Sequence, residues 1–302
     1  MSASPATDLQ ILKSLPNETL TTVFEYLRSD NLVSLTRVCR RFQGISERLL
    51  YSNIVITENI HCDSDGYLSP RQTEGCCTAV LLRPYLATNT KKISIRWQYN
   101  PGRVQDDDNQ LAPSVVPGLR YLLRSAHSLE TLELHLVGYE GNWYDLLDGC
   151  SFKLRCMALN GPVNAPVEWF ISTQPNIIHL HLGDHHLPLH LSPHDLPSLE
   201  TFRGDAQTAA SILPGRPVHG LALSGREPSE ESLIAFAHTR LPIRRLDLGS
   251  ISITPMQLLT ISKHLPALKS LRMRLALRHT LHFTFSGMVS NQESVVLPVH
   301  CV

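Results

Sequence analysis

The sequence predicts an α/β chain: a compact set of three short helices, then an irregular solenoid with a parallel sheet on its concave side. Three observations predict it. Apolar residues between Leu15 and Tyr51 recur at helical intervals with very short breaks. A pattern of the form L-x-x-L-x-L then recurs along most of the remaining chain. Proline stands just before several of these recurrences, at Pro175, Pro197, Pro242 and Pro266. The chain has 302 residues, room for a small module and a larger one, and its 42 % hydrophobic and 18 % charged content suits a sizeable core.

Charge narrows the function classes. Lys+Arg and Asp+Glu are both 27, so the formal net charge is zero. A general nucleic-acid or anionic-membrane binder needs a basic surplus, and neither partner is expected. The N-terminal MSASPATDLQ has no apolar stretch of the secretory kind, and no run approaches the roughly 18 apolar residues of a membrane span. Seven cysteines form no framework spacing, so reduced thiols are expected, in the cytoplasm, the nucleus or both.

Residues 1–10 read as a short disordered lead and residues 11–51 as the helical module. In LPNETLTTVFEYL, from Leu15 to Leu27, one helix is expected, with Leu20, Val23, Phe24 and Leu27 at i, i+3, i+4 and i+7. Glu18 suits the positive end of that helix. Ser29, Asp30 and Asn31 form a cap-type break. Leu32, Leu35, Val38, Cys39 and Phe42 then follow at helical intervals, with Cys39 inside the apolar pattern. Ile45, Leu49 and Leu50 carry the pattern to Tyr51.

From residue 52 to 286 the rhythm changes. The middle apolar residues of the recurring pattern are Leu132, Met157, Leu180, Phe202, Leu221, Leu246 and Leu271, with gaps of 25, 23, 22, 19, 25 and 25. Leucine-rich repeats run about 20–29 residues, so of these gaps only the one of 19 falls just outside their spacing. Around Phe202 the pattern weakens, because Gly204 takes the third apolar place. Pieces around Ile54 and Ile56, and around Ile93 and Ile95, read as longer opening repeats. The asparagine or cysteine expected after the third leucine is absent, so the repeats are irregular. Helices are expected from Thr254-Pro255, from Ser229, and over Val115, Leu119, Leu122, Leu123 and Ala126. Leu281, Phe283 and Phe285 suit a last strand, with a cap or tail over 287–302. One repeat cannot bury its own apolar face, and stacking does so.

Alternation then assigns the faces. With the leucines inward, the intervening residues point outward. Among these, Glu133, His135, His179, His181, Arg203, Arg245, Asp247, Arg272 and Arg274 are the candidate substrate contacts, and the arginines suit an acidic or phosphorylated segment. His179, His181, His185, His186, His190 and His194 crowd one segment, but no metal-ligand motif accompanies them, and solvated or substrate-contacting histidines are expected. His61, Cys62, Cys76 and Cys77 fit no zinc spacing. The three aspartates within Val104 to Gln110 read as a solvated loop. No nucleophile elbow, phosphate loop or dinucleotide fingerprint is present, and no enzyme, metal or cofactor is expected.

The first module resembles an F-box. The family pattern is Leu-Pro-x-Glu, an apolar helix ending in Phe-x-x-Leu, an Asp/Leu break, then Leu-x-x-Val-Cys-Arg-x-Phe and a terminal Tyr. This sequence has Leu15, Pro16, Glu18, Val23, Phe24, Leu27, Asp30, Leu32, Leu35, Val38, Cys39, Arg40, Phe42 and Tyr51. The remainder is similar in architecture to F-box proteins with leucine-rich repeats, most of all the divergent fungal ones. The resemblance implies docking on the Skp-type adaptor of a cullin-RING (SCF) ubiquitin ligase, with the repeats holding an unknown protein substrate. It places Leu15, Pro16, Leu20, Val23, Phe24, Leu27, Leu32, Leu35 and Val38 at the adaptor. Three short helices bury little surface alone, so shared apolar residues are expected, with Phe24, Leu27, Leu32 and Leu35 as anchors. Two other functions compete: a non-catalytic scaffold using the F-box for assembly or localisation, and a metal-dependent enzyme built on residues 179–194.

Overall fold

The structure is a computed structural model that describes residues 15–62, 67–99, 111–137, 139, 141–161, 163–183, 185–275 and 295–298. The lead at 1–10, the aspartate loop and the strand expected at Leu281, Phe283 and Phe285 lie outside the described residues. The chain forms two compact units, Met1–Glu130 with Gly149–Phe152, and Thr131–Asp148 with Lys153–Val302.

The first unit opens with three helices, α1 (Asn17–Glu25), α2 (Ser29–Leu35) and α3 (Arg40–Leu50). Their shared core is Leu20, Phe24, Leu32, Phe42 and Ile45, ringed by the partly buried Leu15, Leu27, Leu35, Leu49 and Leu50. The Phe24 and Phe42 rings meet edge to face with centroids 5.2 Å apart. The apolar run from Leu32 to Phe42 is not one helix. Cys39 is extended and exposed, and its Sγ accepts the Phe42 N–H at 3.5 Å as the N-cap of α3. A sulfur acceptor lets the chain restart a helix after a short turn, which apolar periodicity alone does not show.

Strand β1 (Asn53–Cys62) follows, paired with the short antiparallel β2 (Leu68–Ser69) and in parallel with β3 (Lys92–Tyr99). Between them run α4 (Arg71–Leu82) and one 3-10 turn, Pro84–Leu86; α5 (Val115–Ser125) comes after β3. Ile54, Ile56 and Ile60 alternate into the core, as do Ile93, Ile95 and Trp97. Glu58 sits on the same inward face. Its carboxylate accepts from the Gln72 and Thr73 N–H groups at 2.8 and 2.9 Å and from the Thr73 hydroxyl at 2.5 Å. A charge on a core-facing strand position is thus satisfied by the otherwise unpaired first-turn donors of α4.

A second carboxylate ties the helices to this sheet. Glu47 on α3 accepts from Gln43 (2.9 Å), Arg83 (2.6 Å) and the Tyr85 hydroxyl (2.8 Å). Burial alone pushes its carboxyl up, but the hydrogen bonds from Gln43 and Tyr85 and the charge of Arg83 outweigh that and hold it below its ordinary value. A depressed acid contributes stability above its unfolded pKa and loses it as pH falls through the folded value. Arg83 is half-exposed, which discounts the pair. Glu47→Gln should therefore cost about 1–2 kcal/mol in neutral denaturant titrations. The difference from the wild type should shrink as pH falls below the ordinary carboxylate value and close once pH has passed the depressed folded value.

The second unit repeats one step. Its parallel strands are β4 (Thr131–His135), β5 (Cys156–Asn160), β6 (His179–Gly183), β7 (Thr201–Gly204), β8 (Gly220–Leu223), β9 (Arg245–Ile253) and β10 (Ser270–Leu275), and β11 (Val295–Pro298) adds antiparallel to β10. The anchors pair as one continuous ladder, Leu132, Met157, Leu180, Phe202, Leu221, Leu246 and Leu271. All seven are buried. One carbonyl before each strand accepts two N–H groups from the next repeat: Arg155 from Ile178 and His179, Ile178 from Glu200 and Thr201, Glu200 from His219 and Gly220. The same step continues through His219 and Arg244.

Helices α6 (Trp143–Leu147), α7 (Ala165–Ser172), α8 (Ala206–Ile212), α9 (Glu230–Ala237) and α10 (Pro255–His264) connect the strands. Asn142, Asn164, Asp205, Ser229 and Thr254 cap them in turn, Thr254 through a full capping box with Gln257. Among the described residues between β6 and β7 there is no helix, where Pro188, Pro193 and Pro197 deny one. Buried Arg216 instead donates to the carbonyls of Ser192 and Asp195, at 2.7 and 2.8 Å, and to that of Ile212. Gly204 replaces the third leucine of its repeat because a Cβ there would meet the Leu182 carbonyl at 2.8 Å.

Candidate protein-interaction surfaces

The helical module offers a surface different from the one its main stripe suggests. Leu20, Phe24 and Leu32, expected at an adaptor, are 0 %, 4 % and 7 % exposed. They fill the module's own centre together with Phe42 and Ile45. Phe24 and Leu32, expected as interface anchors, thus lie in the core of the free module. Leu15, Leu27 and Leu35 are half-buried around that centre. What stands in water is Pro16, Val23 (48 %), Tyr26 (87 %), Val33 (46 %) and Val38 (59 %). Tyr26 and Val33 were not singled out from the sequence. The usable signal was that Tyr26 lies three residues after Val23 and off the stripe that continues through Leu27. Arg41 donates to the Leu15 carbonyl and, at 2.7 Å, to the Asn17 amide oxygen, fixing how the chain approaches α1.

On the sheet of the second unit, outward residues form two rows. One runs Glu133, Ala158, His181, Arg203, Ala222, Asp247 and Arg272. The other runs Thr131, Cys156, His179, Thr201, Gly220, Arg245 and Ser270. His179, Arg203, Arg245, Arg272 and Arg274 are exposed, while Glu133, His135, His181 and Asp247 are half-buried. His135 and His181 stand two strands apart, yet their rings lie 5.8 Å apart across β5, where Ala158 leaves room. His179 shares a 2.6 Å hydrogen bond with Thr201. Arg272 pairs with Asp247 at 3.6 Å. Arg274 lies beyond a bulge that shifts the β10 register.

The histidine-rich segment does not converge. His185 is buried rather than solvated, a correction to the expectation for this group: its Nδ1 accepts the Val163 N–H at 3.1 Å, and burial pushes its pKa below the ordinary value. His186 faces Asp205 at 3.5 Å and His190 faces Glu168 at 3.8 Å. Among the described residues no three His, Cys, Asp or Glu side chains are placed to hold a metal. A cleft of about 650 Å³ between α4 and α5 is lined by Glu74, Cys77, Leu81 and Tyr121. Burial pushes the Cys77 thiol up to about 12 and that of Cys76 to about 11, so neither is a ready nucleophile.

No helix among the described residues is long and apolar enough to cross a membrane. No curated protein matches the chain. Residues 12–57 match the family described as F-box-like, a span that takes in α1, α2, α3 and the start of β1. F-box domains generally bind Skp-type adaptors. The chain therefore carries an F-box-like domain at its helical end, on the module that leaves Val23, Tyr26, Val33 and Val38 in water.

Proposed function

We propose that the chain is the substrate-recognition subunit of an SCF ubiquitin ligase. The F-box-like match over residues 12–57 carries this reading. The module docks the Skp-type adaptor, and through it a cullin, using Val23, Tyr26 and Val38 with the half-buried Leu15, Leu27 and Leu35. The strands beyond it are divergent leucine-rich repeats, a reading supported by the seven-residue anchor ladder and the recurring two-donor carbonyl. Their uncovered sheet face holds a protein substrate. The chain makes and breaks no bond: tethering raises the effective concentration of substrate near the charged ubiquitin carrier. Such work belongs in the cytoplasm or nucleus.

The competing reading is a scaffold that uses the same docking without ubiquitin transfer. Point variants separate the two better than deletion of residues 1–51, which would strip Arg83 and Tyr85 of Glu47. Proteins captured from proteasome-blocked cells by the wild type and by Val23→Asp/Val38→Asp should overlap. Those that carry ubiquitin only with the wild type are substrates. Shared partners with no ubiquitin difference would favour the scaffold, and a wild-type chain that captures no adaptor would refute both.

A further inference from the structure

One cavity of the first unit takes no part in the docking or substrate surfaces: the cleft between α4 and α5. Gly118 of α5 faces Cys77 of α4 so closely that a Cβ on the glycine would stand 3.1 Å from the cysteine Cβ. The helices touch there, and both residues line the cleft. Its volume, about 650 Å³, falls within the roughly 300–1,000 Å³ of small-molecule pockets. Val115, Pro117, Leu81 and Tyr121 supply apolar wall. The Cys77 thiol adds to it, because burial keeps it protonated.

Among the residues that line this cleft, Glu74 alone is formally charged. Its two carboxylate oxygens accept from the Ser69 and Ser114 hydroxyls, each at 2.9 Å. Those bonds hold the carboxylate in place without neutralising it, since a hydroxyl donor brings no charge. Each oxygen has about two acceptor sites, so one on each stays open. No Lys, Arg or His pairs with Glu74 among the described residues. The negative field reaches the wall: burial, then Cys76 and Glu74, push the Cys77 thiol up to about 12. The Thr78 and Tyr121 hydroxyls also border the cleft and have no hydrogen-bond partner among the described residues. A fixed, unpaired anion thus stands beside apolar wall and open polar groups, the composition of a ligand site.

We propose that the cleft binds a small organic cation, an ammonium group held by Glu74 and an apolar body of one or two rings lying along Val115, Leu81 and Tyr121. Charge complementarity selects the cation, and volume selects a free molecule. A single lysine stem reaching in from a partner protein would leave most of the cleft empty. The proposal is independent of the ligase reading.

The test titrates the full-length chain with naphthylethylamine and tryptamine, each matched with its neutral alcohol, naphthylethanol and tryptophol, and with butylamine, which has the charge without the rings. Ligand-observed nuclear magnetic resonance reads the affinities. At least one amine should bind about tenfold or more tightly than its alcohol, the size expected of a charge-assisted hydrogen bond. Butylamine should bind at least about tenfold more weakly than that amine, for lack of an apolar body. Glu74→Gln, which keeps the shape and removes the charge, should bind amine and alcohol alike. Thr78→Trp, at an exposed position of α4, obstructs the cleft and should abolish binding of every probe. Thermal melts of both variants should match the wild type, and the tryptophan variant still decides the matter if the glutamine variant melts early. Equal binding of amine and alcohol, a preference that survives Glu74→Gln, butylamine as tight as the ring amines, binding that survives Thr78→Trp, or no binding of either ring amine at millimolar concentration overturns the proposal.

Discussion

Val23→Asp with Val38→Asp should abolish co-purification of the Skp-type adaptor while the chain stays folded. Both side chains are about half-exposed, at 48 % and 59 %, and neither belongs to the core of the three-helix module. In the free chain a carboxylate at either place is solvated, so the unfolding midpoint should move by no more than about 0.5 kcal/mol. In the complex the same carboxylates would be stripped of water without partners, at about 2 kcal/mol or more each. The sum, about 4 kcal/mol, corresponds to nearly a thousandfold loss of affinity. Tyr26→Ala removes the most exposed aromatic ring of the module, 87 % accessible, and should weaken binding by a hot-spot increment of its own. Titration calorimetry with purified adaptor measures all three. Wild-type affinity in the double variant would sink the assignment of this surface.

The repeat spacing was legible because it reflects one mechanical requirement. Every turn must return an apolar residue to the same height in the sheet, and Leu132 through Leu271 do so without a slip. Glycine in the place of a leucine was legible as a weakening, though its cause, the Leu182 carbonyl, belongs to the neighbouring repeat. Three things were not legible. Glu58 has the alternation of a core residue and the chemistry of a surface one, and only the first-turn donors of α4 reconcile them. Glu47 meets Arg83 and Tyr85 only once α3 packs against the 3-10 turn. The third concerns the module itself: a helical stripe shows which residues want to leave water, not whether their own chain or a partner receives them. Leu20, Phe24 and Leu32 went to the first, and the open surface fell to residues beside the stripe.

That division sets up the second large effect. Phe24→Ala should destabilise the helical module by about 3–5 kcal/mol, the cost of deleting a large buried aromatic. Phe24 is 4 % exposed, packs edge to face on Phe42 and shares its core with only Leu20, Leu32 and Ile45 among fully buried neighbours. So small a cluster has little to collapse into the hole, and a loss of this size is comparable with the whole stability of many small domains. Hydrogen exchange should show amides of α1, α2 and α3 losing protection while those of β5 through β9 keep theirs, since the anchor ladder does not pass through Phe24. Phe24→Leu, which keeps most of the volume, should cost less than half as much. Adaptor binding should fall in Phe24→Ala as well, but with the module's protection, whereas Val23→Asp/Val38→Asp loses binding with protection intact. If Phe24→Ala lost the adaptor while exchange in α1–α3 stayed at the wild-type rate, Phe24 would have to touch the adaptor directly, and its place at the centre of the module would be wrong.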